Sequence, residues 1–314
     1  GGITLENNQS LLGQAVDLVA DGTTLITGSN ATRPSLSSPG ANAITLASGN
    51  TVRGLGITGA TTQNGIVGSN VGNTLIDNVT FTGLDLEAVQ LTNTTSNATI
   101  ALRSNTVNSP DSATGVEFQV INTGNATGVT ANVTNNTLSN VSNSAILVDG
   151  NGSGTVNTII RGNNITVNNA GSPSIEVDQA GNGTITALID NNTISGQLND
   201  TDAIFVIASN GTGTLNATVT NNSNDTAPTG PIGSGLFGRV QNNNTLNLDI
   251  DDNSFVGLNN EDIALVRVAI PGANPTLNIT QTNAAALSAD NNNAGLFLEG
   301  SITFGQPTPQ TPIP

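Results

Sequence analysis

The sequence predicts an all-β solenoid, a parallel β-helix with three short strands in each coil. The first observation is a period: an asparagine closes a short alternating apolar segment eight times, with steps of 27, 31, 28, 28, 30, 31 and 30 residues. These asparagines are Asn78, Asn105, Asn136, Asn164, Asn192, Asn222, Asn253 and Asn283. The second is a composition rich in turn formers, with 36 Gly and abundant Asn and Thr. Self-similarity at such a period is typical of stacked repeats rather than of a globular core.

One repeat shows why each coil of about 27–31 residues is expected to hold three strands. The segments 184–192 and 203–206 alternate or run apolar, and the next copy begins at 214. Clusters of Asn, Gly and Thr interrupt them, which favours strands separated by turns. No segment has a convincing helical period. The best exception is 11–19, which could form a short amphipathic helix, although another strand is favoured there.

The recurring asparagines predict an internal ladder. Units of one period stack in register, so equivalent side chains fall into columns about 4.8 Å apart. An inward amide at a corner can bond to the backbone and to the asparagine one coil away, which leaves no buried polar group unpaired. The alternative is that these asparagines are only frequent turn formers, but their shared offset from the apolar segments favours a ladder of all eight.

Two motifs, Asn135-Asn136-Thr137-Leu138 and Asn191-Asn192-Thr193-Ile194, exemplify the repeat across residues 50–304. On these residues the chain resembles the right-handed parallel β-helix superfamily, the pectate-lyase-like coil. The resemblance implies a right-handed winding but leaves activity open, because that superfamily contains lyases, hydrolases, tailspikes, adhesins and secreted passenger domains. Residues 1–49 are expected to form less regular coils that cap one end. Residues 305–314 are expected to form a Pro-rich, extended tail.

Composition excludes several functions. The formal net charge of −16 opposes binding to nucleic acid or an anionic membrane. No apolar run approaches the roughly 20 residues that span a bilayer. The chain has no Cys, so disulfides and thiol chemistry are excluded, and it has no His or Tyr.

Catalytic residues are not expected. If the chain were an enzyme, the best carboxylate pair would be Asp190 and Asp251, each two residues before a predicted ladder asparagine. They lie two coils apart, roughly 10 Å, with Thr220 between them. No Arg stands in their column on that intervening coil, so a solvated face is the preferred interpretation. Cofactors are not expected either. Asp249 and Asp251 are at most a weak surface Ca²⁺ site, because Ser254 replaces the turn glycine of a calcium loop.

A binding surface is predicted on the second strand of the C-terminal coils. If Ile204, Leu236 and Leu296 point inward, their neighbours form an exposed apolar stripe for a partner. The alternative is a register shifted by one residue, which would place the Phe side chains in the core. The predicted partner-binding residues are Phe205, Ile207, Phe237, Val266, Phe297, Pro307, Pro309 and Pro312.

The function predicted from these observations is that of a structural or adhesive protein, extracellular or at a cell surface. It could assemble head-to-tail with itself into a filament or layer, with the Pro-rich tail of one subunit along the stripe of the next. Another cell-surface component is the alternative partner. A polysaccharide lyase or glycoside hydrolase of the pectate-lyase-like fold is the alternative function.

Overall fold

The computed structural model of the protein describes residues 2–59, 63–108, 118–122, 124–170, 172–198, 201–225, 233–257 and 261–309. Within these ranges the chain folds as the predicted parallel β-solenoid. The right-handed sense of winding stays a prediction from the resemblance.

The strands have two to seven residues each. In chain order they are β1 Ile3–Thr4, β2 Ser10–Leu12, β3 Leu18–Ala20, β4 Thr23–Ile26, β5 Ser35–Ser37, β6 Ile44–Leu46, β7 Thr51–Arg53, β8 Gly56–Thr58, β9 Ile66–Ser69, β10 Thr74–Asp77, β11 Thr80–Thr82, β12 Val89–Thr92, β13 Thr99–Arg103, β14 Thr106–Asn108, β15 Phe118–Asn122 and β16 Val129–Thr134. They continue as β17 Thr137–Val141, β18 Ile146–Gly150, β19 Thr155–Arg161, β20 Asn164–Ala170, β21 Ile175–Gln179, β22 Thr184–Asp190, β23 Thr193–Leu198, β24 Ile204–Ala208, β25 Thr214–Thr220, β26 Ser223–Asn224, β27 Leu236–Gln241, β28 Thr245–Asp251, β29 Ile263–Val268, β30 Thr276–Ile279 and β31 Leu296–Glu299. A 3-10 turn covers Asn30–Thr32, and helix α1 covers Ala284–Asp290.

Three parallel sheets run along the solenoid. Sheet A has the order β1-β6-β9-β12-β15-β18-β21-β24-β27-β29-β31, sheet B the order β2-β7-β10-β13-β16-β19-β22-β25-β28-β30, and sheet C the order β5-β8-β11-β14-β17-β20-β23-β26. Equivalent residues pair across coils, as in the column Thr155, Thr184, Thr214, Thr245 and Thr276. The inward residues of all three sheets form one apolar cluster that extends from Leu5 to Ala294. Since the strands are in register, each coil buries its apolar face against its neighbours.

A ladder of buried asparagines runs through seven successive coils. In each step the backbone N–H and Nδ2 of one asparagine both donate to Oδ1 of the asparagine in the next coil. For Asn163 and Asn192 these distances are 3.0 and 2.9 Å. Nδ2 of Asn163 also donates to the Val133 carbonyl at 2.9 Å. The members are Asn105, Asn136, Asn163, Asn192, Asn222, Asn253 and Asn291.

Three members of the predicted ladder lie elsewhere, for two different reasons. Each corner uses two adjacent positions, of which the first has a left-handed backbone and the second carries the ladder amide. Asn78 occupies the first position, with φ of 54°. The second position in this coil is therefore Val79, which has no side-chain amide but donates its N–H to Oδ1 of Asn105. Gly162 takes the first position in a later coil, so Asn163 and not Asn164 is the ladder residue.

Asn283 is the third exception, because the last coil contains an insertion. Its side chain caps helix α1 by accepting from the N–H of Ala286 at 3.0 Å. The ladder position passes to Asn291, directly after the helix. Leu287 of the helix is fully buried in the core. Helix α1 therefore covers the C-terminal end of the core. This helix was not predicted, because its sequence has no convincing helical period.

Residues 1–49 continue all three sheets through β1, β2, β5 and β6, and an antiparallel hairpin of β3 and β4 projects from them. The segment 11–19 contributes strands, as favoured. Asn78 secures this region, since its Oδ1 accepts from Nη2 of Arg33 at 2.8 Å and its Nδ2 donates to the Ala15 carbonyl at 3.1 Å.

The start of the C-terminal tail also pairs with the solenoid. The N–H groups of Gly305 and Gln306 donate to the carbonyls of Gln281 and Ile279, at 2.8 and 3.1 Å. Gly305 and Gln306, the first residues of the predicted tail, are thus hydrogen-bonded to the solenoid, and the extended conformation of the Pro-rich tail stays a prediction. Of the helices in the described ranges, none combines the length and the apolar character that crossing a membrane demands.

Candidate functional site

The outer face of sheet A carries the most varied side chains of the solenoid. Alternate residues of each strand point outward, and the register aligns them in two columns along the axis. One column passes through Gln90, Gln119, Leu147, Glu176, Phe205, Phe237, Ala264 and Phe297. The other passes through Thr92, Ile121, Asp149, Asp178, Ile207, Arg239, Val266 and Glu299. The face divides into three zones. The amide zone contains Gln90 and Gln119, the carboxylate zone contains Asp149, Glu176 and Asp178, and the aromatic zone contains Phe205, Phe237 and Phe297.

The carboxylate zone consists of Asp149, Glu176 and Asp178. Asp149 and Asp178 are register partners on neighbouring strands, and Glu176 is two residues before Asp178 on the same face. Oδ2 of Asp149 accepts from Nδ2 of Asn151 at 2.6 Å, and Oδ1 of Asp178 accepts from Oγ of Ser209 at 3.1 Å. The other oxygen of Asp149 is buried and has no hydrogen-bond partner among the described residues.

Burial and mutual repulsion change the ionisation of these acids. Burial, and then the charge of Asp178, raises the pKa of Asp149 and of Glu176 to about 7. Burial also raises the pKa of Asp178, against the hydrogen bond from Ser209. A carboxylic acid that keeps its proton near pH 7 can act as a general acid in a reaction, and a neighbouring carboxylate can act as the general base in the same reaction. The zone therefore has the elements of acid–base chemistry.

Sequence reasoning missed the carboxylate zone. None of its three residues is among the site residues predicted from the sequence. The sequence does contain a pattern that places the two aspartates together. Asp149 and Asp178 each follow, by three residues, an inward isoleucine at the start of a strand. A column of two acids on adjacent coils could have been found by aligning the second strand of each repeat as well as the first.

The aromatic zone has the predicted register. Phe205 and Phe237 point outward and stack, with ring centroids 5.3 Å apart and planes 9° apart. Phe297 ends the column and is 39% exposed. Ile207 and Val266 were also expected in the stripe, but they are only 7% and 8% exposed, so they offer less surface than predicted.

A groove of about 370 Å³ crosses this zone between Phe237 and Phe297. Arg239, Glu261 and Glu299 lie along it. Of the tail residues predicted to bind a partner, Pro307 is exposed, Pro309 is buried, and Pro312 lies outside the described residues. The binding role of these residues stays a prediction.

No protein-family model, curated protein or solved structure matches the chain.

Asp190 and Asp251, the pair named for the case that the chain is an enzyme, lie on sheet B and not in the carboxylate zone. The two residues are in one column with Thr220 between them, as expected. Asp190 is an ion-pair partner: its Oδ2 lies 2.8 Å from Nε of Arg161 on the preceding coil. A second network joins Asp77 to Arg53 at 2.8 Å and to Arg103 at 3.4 Å. Asp190 is thus used in an ion pair on the outer face of sheet B.

Asp249 and Asp251, the weak candidates for Ca²⁺, lie two residues apart on β28. Burial, followed by the charge of Asp251, raises the pKa of Asp249. The described residues contain no group of three or more acidic or other metal-binding side chains arranged to hold an ion. A cation at this position stays a prediction.

Proposed function

We propose that the chain has a structural and adhesive function, outside the cell or at a cell surface. The supporting observation is the ladder of seven asparagines, which hydrogen-bonds coil to coil within one continuous core. A solenoid of this kind resists bending and shear between coils, because each slip would break several buried hydrogen bonds at once. Such a rod can hold binding surfaces at a distance from a cell.

Self-association is the second part of the proposal. The large apolar side chains that are exposed among the described residues lie towards the two ends: Leu12, Leu18, Val19, Leu25 and Ile26 near one, and Val256, Ile270 and Phe297 near the other. Exposed apolar patches are typical of interaction sites. A second copy, stacked head-to-tail, would cover both patches. Another cell-surface component is the alternative partner.

Two measurements test this proposal. Electron microscopy and light scattering of the purified chain should show linear assemblies that shorten when Leu25 and Ile26 are both replaced by Asp. The matched control replaces Thr23 and Thr24, on the same exposed strand, with Asp. Beads coated with the chain should also be retained on cells or cell-wall material. Persistent monomers together with no bead retention would refute the proposal.

A glycoside hydrolase is a second candidate, favoured by the carboxylate zone. Asp149 and Asp178 are one strand spacing apart, about 4.8 Å between backbones, which is compatible with a pair of carboxyls that act on one glycosidic bond. The raised pKa of Asp149 and of Glu176 would supply the acid. A lyase is less favoured, because Arg239 is separated from Asp178 by Ile207.

Release of reducing sugars from a panel of polysaccharides tests this candidate. Turnover by the unmodified chain that is lost in Asp149→Asn and Glu176→Gln, but retained in Asp190→Asn, would support hydrolysis in the carboxylate zone. Absence of turnover on every polymer, over pH 4 to 8, would leave the structural role as the function.

A further inference from the structure

The amide zone of sheet A contains a groove that neither proposed function uses. Its volume is about 420 Å³, and it lies between the second and fourth strands of the sheet. Four side-chain amides line it, those of Asn42, Gln63, Asn64 and Gln90, together with the hydroxyls of Thr45 and Ser69. Its size falls within the range of sites that hold small ligands.

The amides are joined in a directed chain of hydrogen bonds. Oδ1 of Asn42 accepts from the N–H of Asn64 at 3.1 Å. Nδ2 of Asn64 donates to Oε1 of Gln90 at 3.1 Å, and Nε2 of Gln90 donates to Oε1 of Gln119 at 2.7 Å. These contacts fix the orientation of the Gln90 side chain on the outer face of the sheet.

One acceptor in this chain is left unsatisfied. Asn64 is 7% exposed, and its Oδ1 has no hydrogen-bond partner among the described residues. A buried acceptor without a partner costs about 1–3 kcal/mol. Asn64 lines the groove, and a hydroxyl donor from a ligand would supply the partner that its oxygen lacks.

The lining excludes charged ligands. Every side chain that lines the groove is neutral. A carboxylate, phosphate or ammonium group would lose water there without gaining an opposite charge, which is unfavourable. Val67 and Leu86 add apolar surface beside the amides. Amides that both donate and accept, next to a small apolar patch, match the hydroxyl groups and the C–H faces of a sugar ring.

We infer that this groove binds a neutral oligosaccharide. The inference deepens the proposed adhesive function, and it rests on that function for its biological role. Hydroxyls of the sugar exchange hydrogen bonds with Gln63 and Gln90 and satisfy Asn64, while a C–H face packs on Leu86. The site is separated from the carboxylate zone by the coil of Gln119 and does not depend on chemistry there.

Calorimetry and glycan-array binding with the whole chain test the inference. The probes are neutral glucan, mannan and galactan oligosaccharides, with oligogalacturonate and chitosan oligomers as charged comparisons. At least one neutral oligosaccharide should bind, and its affinity should fall tenfold or more in Gln90→Leu. Ser69→Phe, which fills the groove and keeps the amides, should have the same effect. Asn216→Ala, on the outer face of sheet B, should bind like the unmodified chain.

Three results would overturn the inference: no neutral oligosaccharide binds, a charged one binds better, or binding survives in both Gln90→Leu and Ser69→Phe. Thermal unfolding of each variant checks that the fold is kept. Gln90→Leu removes an amide from the groove, whereas Ser69→Phe adds a bulky side chain to it. Failure here is distinguishable from failure of the proposed function. Bead retention without oligosaccharide binding would refute only this site, and oligosaccharide binding without retention or assembly would refute the adhesive role.

Discussion

Oδ1 of Asn192 accepts two hydrogen bonds from Asn163, one from the backbone N–H at 3.0 Å and one from Nδ2 at 2.9 Å. Both residues are 1% exposed. The same pair of bonds recurs from Asn105 to Asn291, so the polar atoms at this corner are satisfied by the stacking of coils. Removing one amide leaves the N–H of the preceding member without its acceptor and takes one of two donors from the following member.

The ladder predicts different outcomes for two adjacent asparagines. Asn163→Ala should lower the free energy of unfolding by about 2–4 kcal/mol, because the buried N–H and Nδ2 of Asn136 lose their shared acceptor and Oδ1 of Asn192 loses one of its two donors. Asn164→Ala should change it by less than about 0.5 kcal/mol, since Asn164 is exposed. Urea denaturation of both variants makes the comparison. Equal effects of the two substitutions would contradict the assignment of the ladder.

The free energy of unfolding should decrease as rising pH ionises the acids of the carboxylate zone. The raised pKa of Asp149 and of Glu176, about 7 for each, means that the folded chain keeps protons that the unfolded chain releases near pH 4. The unfolded state therefore binds fewer protons over this window, and the free energy of unfolding falls between about pH 4 and pH 7. Above about pH 7 both states are ionised, so this contribution becomes constant.

Calorimetric Tm values between pH 5 and pH 8 check this. The double variant Asp149→Asn, Glu176→Gln should have a smaller slope of Tm against pH than the unmodified chain. Glu299→Gln, which removes an exposed carboxylate at the end of the same face, should keep the original slope. An unchanged slope in the double variant would assign the pH dependence to other groups.

Stacked glycines at one turn should not tolerate a side chain. A Cβ added at Gly183 would lie 2.1 Å from the carbonyl oxygen of Gly154 in the preceding coil. Gly183→Ala should therefore separate two coils and cost more than about 3 kcal/mol of unfolding free energy. Gly272→Ala is the comparison, because nothing lies within 4 Å of its Cβ and only its φ of 83° opposes the change.

That comparison variant should lose about 1–2 kcal/mol, the usual cost of a left-handed backbone for a residue other than glycine. Chemical denaturation measures both variants. A smaller loss in Gly183→Ala than in Gly272→Ala would show that the coils separate more easily than their packing indicates.

The ion pair of Arg161 and Asp190 should contribute little. It lies on the outer face of sheet B, where solvent screens the charges, so a double-mutant cycle with Arg161→Gln and Asp190→Asn should give a coupling of about 0.2–1 kcal/mol. The coupling should shrink in 1 M salt. A coupling of several kcal/mol that salt leaves unchanged would mean that this pair is effectively desolvated.

Much of the architecture could be predicted from the chain alone, because it depends on local repetition. Period-2 alternation and an asparagine at the corner recur from Asn78 onward, and in-register stacking follows from such similar units. The outward register of Phe205 and Phe237 was predictable for the same reason, as it follows from alternation with Ile204 and Leu236. The positions of Asn163 and Asn291 were not, because choosing between adjacent asparagines requires knowing which residue takes the left-handed corner and where an insertion lies.

The sequence by itself determined the stacked coil, its three strands and the existence of a ladder, since these arise from contacts between equivalent residues one period apart. Only the tertiary structure decided which groups are buried together on the outer face of sheet A. Asp149 and Glu176 are 27 residues apart in the chain and become neighbours through the register of β18 and β21. Their ionisation depends on that proximity and on loss of water, which a linear pattern does not encode.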